Sequence, residues 1–408
     1  MWARRKTWLT AIALYLALTA GAARAADWEI DLDARLVTSD GRKSFLDGGL
    51  GALRYGEDQS GVHLGRARLA LSQPFGEVWT VHLDASSWGD DDRNPFDLTE
   101  AYLQFRPYPL AGYRFRLKAG AFHAPISLEN PASGWGSPYT LSHSAINSWL
   151  GEELRTIGLE GELDWLGTRL GHAWDLGATG GVFGWNDPAG ALLASHGFAL
   201  DDRQTTLFGR VGEPGVAPVK GRSLFYEIDH QPGFYAGVEA RYLDRIVLRA
   251  LRYDNRGDPE AHSPRLNAYA WQTRFNAAGV RLEGPAGWTV IAQWLDGETY
   301  IEPFNLDLEW PFTARFVLLS KQIGAHRLSV RHDEFSVRSD TPDGAGAQDG
   351  RAWTLAYVFT PDEHWRVAVE WLRVSSTESN RAIFLHESPF ARETQLQLSV
   401  RYALAGTL

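Results

Sequence analysis

Arg114, Arg116 and Lys118 occupy alternate positions of YRFRLKAGAF, residues 113–122, with Tyr113, Phe115, Leu117, Ala119 and Ala121 between and beyond them. Period-two alternation is the mark of a half-buried β-strand, and it sets all three cations on one face. A row of fixed charges on a strand can steer ions through a water-filled passage. Further cations of this kind are Arg66 and Arg68 in GVHLGRARLALS and Arg106 at the end of TEAYLQFR, where Glu100 interrupts the series. Acids dominate the same face elsewhere: Glu29, Asp31 and Asp33 near the start, Glu160 and Glu162 after residue 155, and Glu370 late in the chain. The pattern predicts a basic wall facing acidic groups, with a transverse field between them. Glu129, Glu152 and Glu153 lie in the same stretch as the bases, so the sign of selectivity stays open.

A passage also needs something to narrow it. Residues 123–152 form a long connection with polar groups at Glu129, Asn130, His143, Asn147 and Glu152, with Glu153 and Arg155 just beyond. Trp135, Tyr139, Leu141, Ile146 and Trp149 make it partly apolar, so it needs a surface to pack on. The expectation is a loop folded inward as a constriction, with Tyr139 and the polar residues at the narrow point.

These residues are positioned by a recurring unit. Segments of roughly ten residues with alternating hydrophobicity recur along the chain, separated in turn by short and long connections. Sixteen strands, seven short turns and eight longer loops are counted. The fold class expected is all-β: a closed antiparallel transmembrane barrel, with short turns on the periplasmic side and long loops outside. Trp79, Tyr113, Trp165, Trp288 and Trp365 sit beside short turns, as an interfacial girdle would. A barrel of sixteen strands keeps an aqueous lumen, where eight would be filled by side chains. One long tract, 185–231, is too long for an ordinary connection. It suggests a short helix over PAGALLASHGF, a second inward fold or an extra hairpin.

Composition sets the compartment. Arg4, Arg5 and Lys6 precede an apolar run at 7–22, and Ala23-Arg24-Ala25 has the form of a cleavage site. Residues 1–25 therefore read as a cleaved export signal and 26–408 as one barrel domain. The signal holds four of the 40 basic residues and none of the 50 acids, which leaves 36 bases against 50 acids, a net charge of −14. That argues against a nucleic-acid partner. With no cysteine, disulfides and thiolate chemistry are excluded. No cofactor or metal site is expected. Asp90-x-Asp92-x-Asn94 begins like a calcium loop, but Pro95 follows and the closing Glu is missing. His143-Ser144 is the nearest approach to a hydrolytic pair and lacks a third partner, so no enzyme is expected.

TEAYLQFRP (99–107), LKAGAFHAPISLEN (117–130), EELRTIGLEGEL (152–163) and RHDEFSV (331–337) together resemble the phosphate-selective porin O and P family. The likeness is fullest over residues 98–165 and elsewhere rests on the strand rhythm. It implies a sixteen-strand homotrimer in the outer membrane of a Gram-negative cell, with the third loop folded into the pore. The partners implied are outer-membrane lipid and small hydrophilic or charged solutes, anions among them, crossing by passive diffusion. The alternative is a non-conducting barrel whose external loops bind partners or surface material. Such barrels usually end on an aromatic residue. Here Tyr402 is followed by ALAGTL, so either the assembly signal is atypical or the end is extended.

Overall fold

The computed structural model describes residues 25–89, 96–211 and 223–408. The expected export signal, Ala25 apart, and the Asp90-x-Asp92-x-Asn94 stretch lie outside the described residues.

Sixteen strands close into one antiparallel barrel, each pairing with its sequence neighbours and the last with the first. In chain order they are β1 Asp27–Ser39, β2 Gly61–Phe75, β3 Trp79–Ser87, β4 Asp97–Phe105, β5 Tyr113–Phe122, β6 Thr156–Trp165, β7 Trp174–Gly184 and β8 Gly233–Tyr242. The second half has β9 Ile246–Asp254, β10 Gln272–Glu283, β11 Trp288–Ile301, β12 Leu308–Ile323, β13 His326–Val337, β14 Gln348–Phe359, β15 Trp365–Glu378 and β16 Phe390–Thr407. β16 extends well past Tyr402 and pairs with β1 from Gln395↔Ser39 to Thr407↔Asp27. Closure satisfies the backbone groups that an open edge would leave unpaired. A small two-stranded ladder, His262–Ser263 with Ala268–Tyr269, sits in the loop between β9 and β10.

Alternation decides which face each residue takes. On β1, Leu32 and Leu36 are exposed outward while Asp31, Asp33 and Arg35 are buried inward. Outward aromatics ring the turn end at Trp79, Tyr113, Trp174, Trp288, Trp365 and Tyr402. Trp294, Trp353 and Trp371 stand outward nearer the loop end.

The inward face is not uniform. From β1 to β8 it is strongly charged. On β9 to β15 its loop-side half is apolar, with Phe275, Leu295, Phe312, Phe335 and Leu372 all buried. The polar-in rule of the sequence reading fails there for a packing reason: three loops fold into the barrel and rest on this wall.

Candidate functional site: the barrel lumen

The third loop, 123–155, crosses the lumen and ends in helix α1, Ala145–Glu153. Ser144 caps the helix by accepting from the Asn147 N–H at 3.3 Å. Every residue of α1 is buried. Trp149 explains why: its ring meets Phe275 at 5.5 Å and Phe312 at 5.2 Å, both edge-on, on the apolar wall.

The loop is then held by ion pairs. Arg331, on β13, points inward with no exposed surface. Its Nη1 donates to Glu129 Oε1 at 2.6 Å and to the Ser142 carbonyl at 2.7 Å. Its Nη2 donates to the His143 carbonyl at 2.7 Å, and its Nε to Asp333 Oδ2 at 2.8 Å. Asp333 in turn accepts from the Ala145 N–H at 3.1 Å. Glu370 on β15 accepts from the N–H groups of Leu141 (2.6 Å) and Ser142 (3.0 Å). Glu129 also accepts from Ser144 N–H and Asn147 Nδ2, both at 2.9 Å. Burial alone would raise the Glu129 pKa, but Arg331 holds it below the ordinary carboxylate range.

The fourth loop lies between β7 and β8 and carries α2, Ala191–His196. Of the three expectations for this tract, the helix and the inward fold are both found. Glu153 caps α2, its carboxylate accepting from Leu192 N–H (2.8 Å), Leu193 N–H (3.3 Å) and Trp149 Nε1 (2.6 Å). Gly190, at φ 96°, precedes the helix, and a Cβ there would come within 1.9 Å of Thr299 Oγ1 and 2.4 Å of Thr273 Oγ1. Gly190→Ala is expected to push α2 off the wall and cost about 1–3 kcal/mol, read as a lower midpoint in denaturant unfolding.

The first loop, 40–60, completes the plug. Its Leu53 bridges to Leu200, with Leu200 N–H donating to the Ala52 carbonyl at 2.9 Å. Asp202 of the fourth loop sits between Arg35 of β1 (Nη2 to Oδ2, 2.5 Å) and Arg54 of the first loop (Nη1 to Oδ1, 2.8 Å). Arg35 also donates to Asp33 Oδ2 at 2.8 Å. The β-bulge at Gly65 makes room for this pair, since a Cβ there would lie 2.5 Å from Arg35 Nε.

The bases and acids named from the sequence do not face each other across the lumen. Most of them pair with a charge on an adjacent strand. In register, Arg114 opposes Asp164, Arg116 opposes Glu162 and Lys118 opposes Glu160. The first and last pairs close at 2.7 and 3.1 Å, and Arg116 also meets Glu162. Arg66 binds Asp31 (3.1 Å), and Arg68 bridges Asp31 (3.1 Å) and Asp84 (2.7 Å). The expected transverse field is replaced by local neutralisation. The reason is that a strand face pairs with its neighbour about 4.8 Å away far sooner than with the opposite wall.

Of the other named residues, Glu100 accepts from the His123 N–H at 2.9 Å, and Glu160 also accepts from Tyr235 Oη at 2.6 Å. Arg106 lies exposed just past the turn end of β4. Asn130 donates to the Trp135 carbonyl at 3.0 Å, and Tyr139 lies 5.0 Å beneath the Arg327 guanidinium. His143 is buried, which pushes its pKa down to about 4. Glu152 stands 3.6 Å from His196 Nε2. Arg155 lies against the His123 ring and donates to the Thr205 carbonyl at 3.0 Å. The sequence reading missed Arg331, Asp333, Arg35, Arg54 and Asp202, which hold the plug.

Below the loops, the turn-side lumen is more open. Arg114, Arg116, Arg241 and Arg249 keep roughly a fifth to a third of their side chains exposed, with Glu239 and Glu162 beside them.

No protein-family model and no curated protein matches the sequence. Solved structures do match in fold. The outer-membrane channel DcaP of Acinetobacter baumannii superposes with a TM-score of 0.56 at 13% identity, over 94% of this chain and 97% of that one. OmpF of Salmonella typhi gives 0.54 at 10% identity, over 93% and 97%. The loop L8 deletion mutant of OmpT, an outer membrane protein of Vibrio cholerae, gives 0.51 at 10%, over 93% and 99%. The fold is that of the outer-membrane porins.

Proposed function

We propose that this chain is a porin-type channel of the outer membrane of a Gram-negative cell, exported with a cleaved signal. It passes small hydrophilic or charged solutes by passive diffusion, as a homotrimer. One observation carries the reading: three loops are folded into the lumen and clamped to its wall, above a turn-side vestibule lined by accessible charges. Loops committed to the interior narrow a passage. Planar-bilayer recording of the purified protein tests it. Stable, ohmic steps of small size are expected, and a folded protein that gives no steps at any voltage would sink the proposal.

Kinship with phosphate-selective porins rests on the motifs at 98–165. The bases in that stretch are each matched by an acid on β6, so the geometry favours no phosphate preference. The Arg114→Gln, Arg116→Gln, Lys118→Gln variant removes three cations and leaves Asp164, Glu162 and Glu160 unopposed. Its reversal potential in a salt gradient is expected to move toward cation selectivity. An unchanged potential means that the ladder does not line the ion path.

A further inference from the structure

The outward face of a barrel within the membrane should be apolar. On β14, β15 and β16 it is not. Arg351, Arg373 and Arg392 all point outward and are exposed. In an outer-membrane barrel, a lipid-facing arginine costs about 2–4 kcal/mol at the bilayer midplane and about 0–1 near the interface. These three lie at the interface. Arg373 is in register with Trp353 of the loop-side tryptophans, and the other two are one step further toward the loops.

Two other outward arginines of this band are already neutralised, and Arg252 donates to Asn276 Oδ1 at 3.3 Å. Arg315 donates through Nε to Glu334 Oε2 at 2.7 Å, and Arg274 pairs with Glu298. Arg351, Arg373 and Arg392 form no salt bridge among the described residues. Glu334, opposite Arg351 in register, is engaged by Arg315 and His332. Asp349 is the outward acid nearest in sequence, two residues nearer the loops.

The three are rooted around one residue. Ser375 of β15 is paired with Arg351 on one side and Arg392 on the other. At about 4.8 Å per strand, the two flanking backbones stand roughly 10 Å apart, with Arg373 about 7 Å along β15. Long side chains rooted at these points can close on one tetrahedral anion. A depression of ≈ 560 Å³ adjoins two of them, lined by Arg351, Arg392, Ser375 and Thr377, with the carboxylates of Glu334 and Asp349 also on its wall. Guanidinium groups bind phosphate oxygens by paired, charge-assisted hydrogen bonds.

We propose that this face binds the phosphate-bearing headgroup of an outer-leaflet lipid through Arg351, Arg373 and Arg392. The ligand is a lipid because the cluster is on the outside of the barrel, at the depth the tryptophans mark. The proposal rests on the outer-membrane placement and not on conduction, so bilayer currents and lipid binding can fail separately.

The test is native mass spectrometry of the full protein in detergent with bisphosphorylated lipid A or its dephosphorylated form. Wild type is expected to retain the phosphorylated lipid selectively. The triple variant R351Q/R373Q/R392Q is expected to lose affinity on the order of a hundredfold, and R373Q and R392Q singly about fivefold each. The single variants decide the matter if the triple does not fold. Equal retention of the dephosphorylated lipid, unchanged binding in the single variants, or full displacement by equimolar inorganic phosphate would overturn the proposal. So would conversion of a lipid-free oligomer to monomers by the same substitutions, which would make the face a subunit contact.

Discussion

Arg331→Ala is expected to free the third loop from the barrel wall. The guanidinium is the only cation within salt-bridge distance of Glu129 and Asp333 among the described residues, and all three groups are fully buried. Removing it strands two carboxylates and takes the guanidinium donor from the Ser142 and His143 carbonyls. Breaking a buried pair from one side costs about 3–5 kcal/mol, because the partner's desolvation is no longer offset. The barrel's own hydrogen bonds are untouched, so the loss should appear as early release of the loop and not as loss of strands. Two measurements follow. The unfolding midpoint falls, with a pre-transition in Trp149 fluorescence. In bilayers the variant conducts several-fold more than wild type, with noisier open levels. The triple replacement E129Q/R331M/D333N, which removes the charges on both sides, should recover much of the stability. An Arg331→Ala barrel with wild-type midpoint and conductance would mean that apolar packing of α1 holds the loop unaided.

The architecture was legible because a closed antiparallel barrel leaves the chain little freedom. Each strand must show an apolar side outward and must pair on both edges, so period two and alternating connection lengths carry through from β1 to β16. On that account Arg66, Arg68 and Asp31 face inward, as the alternation expects. What the pattern does not show is what an inward side chain meets. An inward charge beside water and an inward charge clamping a loop have the same period. Asp202 illustrates the limit, since its partners Arg35 and Arg54 are 167 and 148 residues away and belong to other elements.

One signal was present and unread. Phe316 to Leu319 is apolar at four consecutive positions, as is Trp288 to Ala292 apart from Thr289. A strand apolar on both faces is covered on both faces. On β11 and β12 the outward apolar face is exposed, and the cover of the inward face had to come from the lumen, which is where α1 lies. Arg331 and Asp333, alternating in the neighbouring β13, were then the natural anchors for whatever packed there.

The plug should loosen as pH rises. Glu153 is buried beside Glu152, and its carboxyl pKa is pushed up to about 7. Asp201, buried and also beside Glu152, is pushed up to about 8. An acid with a raised folded-state pKa binds its proton more tightly in the packed loops than in the released ones. It therefore favours packing at low pH, and the benefit fades as pH climbs through 7 and 8. His196 acts in the same direction. Burial depresses its pKa, but Glu152 and Glu153 outweigh that and hold it above the ordinary value, so its stabilising charge is lost as pH rises past the raised pKa. Asp202 opposes the trend only in strong acid. Despite burial, Arg35 and Arg54 hold its pKa far below the carboxylate range, so its contribution is constant from neutral pH upward. Moving one buried carboxyl from 4.5 to about 7 amounts to roughly 3 kcal/mol against its ionised form. The three groups meet where α1, α2 and the fourth loop join, so their effects fall on one seam. Open probability is expected to be low at pH 5.5 and to rise between pH 7 and 9, with the E153Q/D201N variant flattened across that range. A wild-type open probability that stays flat between pH 5.5 and 9 would show that the seam is held by Asp202 and its arginines, whose contribution does not change there, and not by these protons.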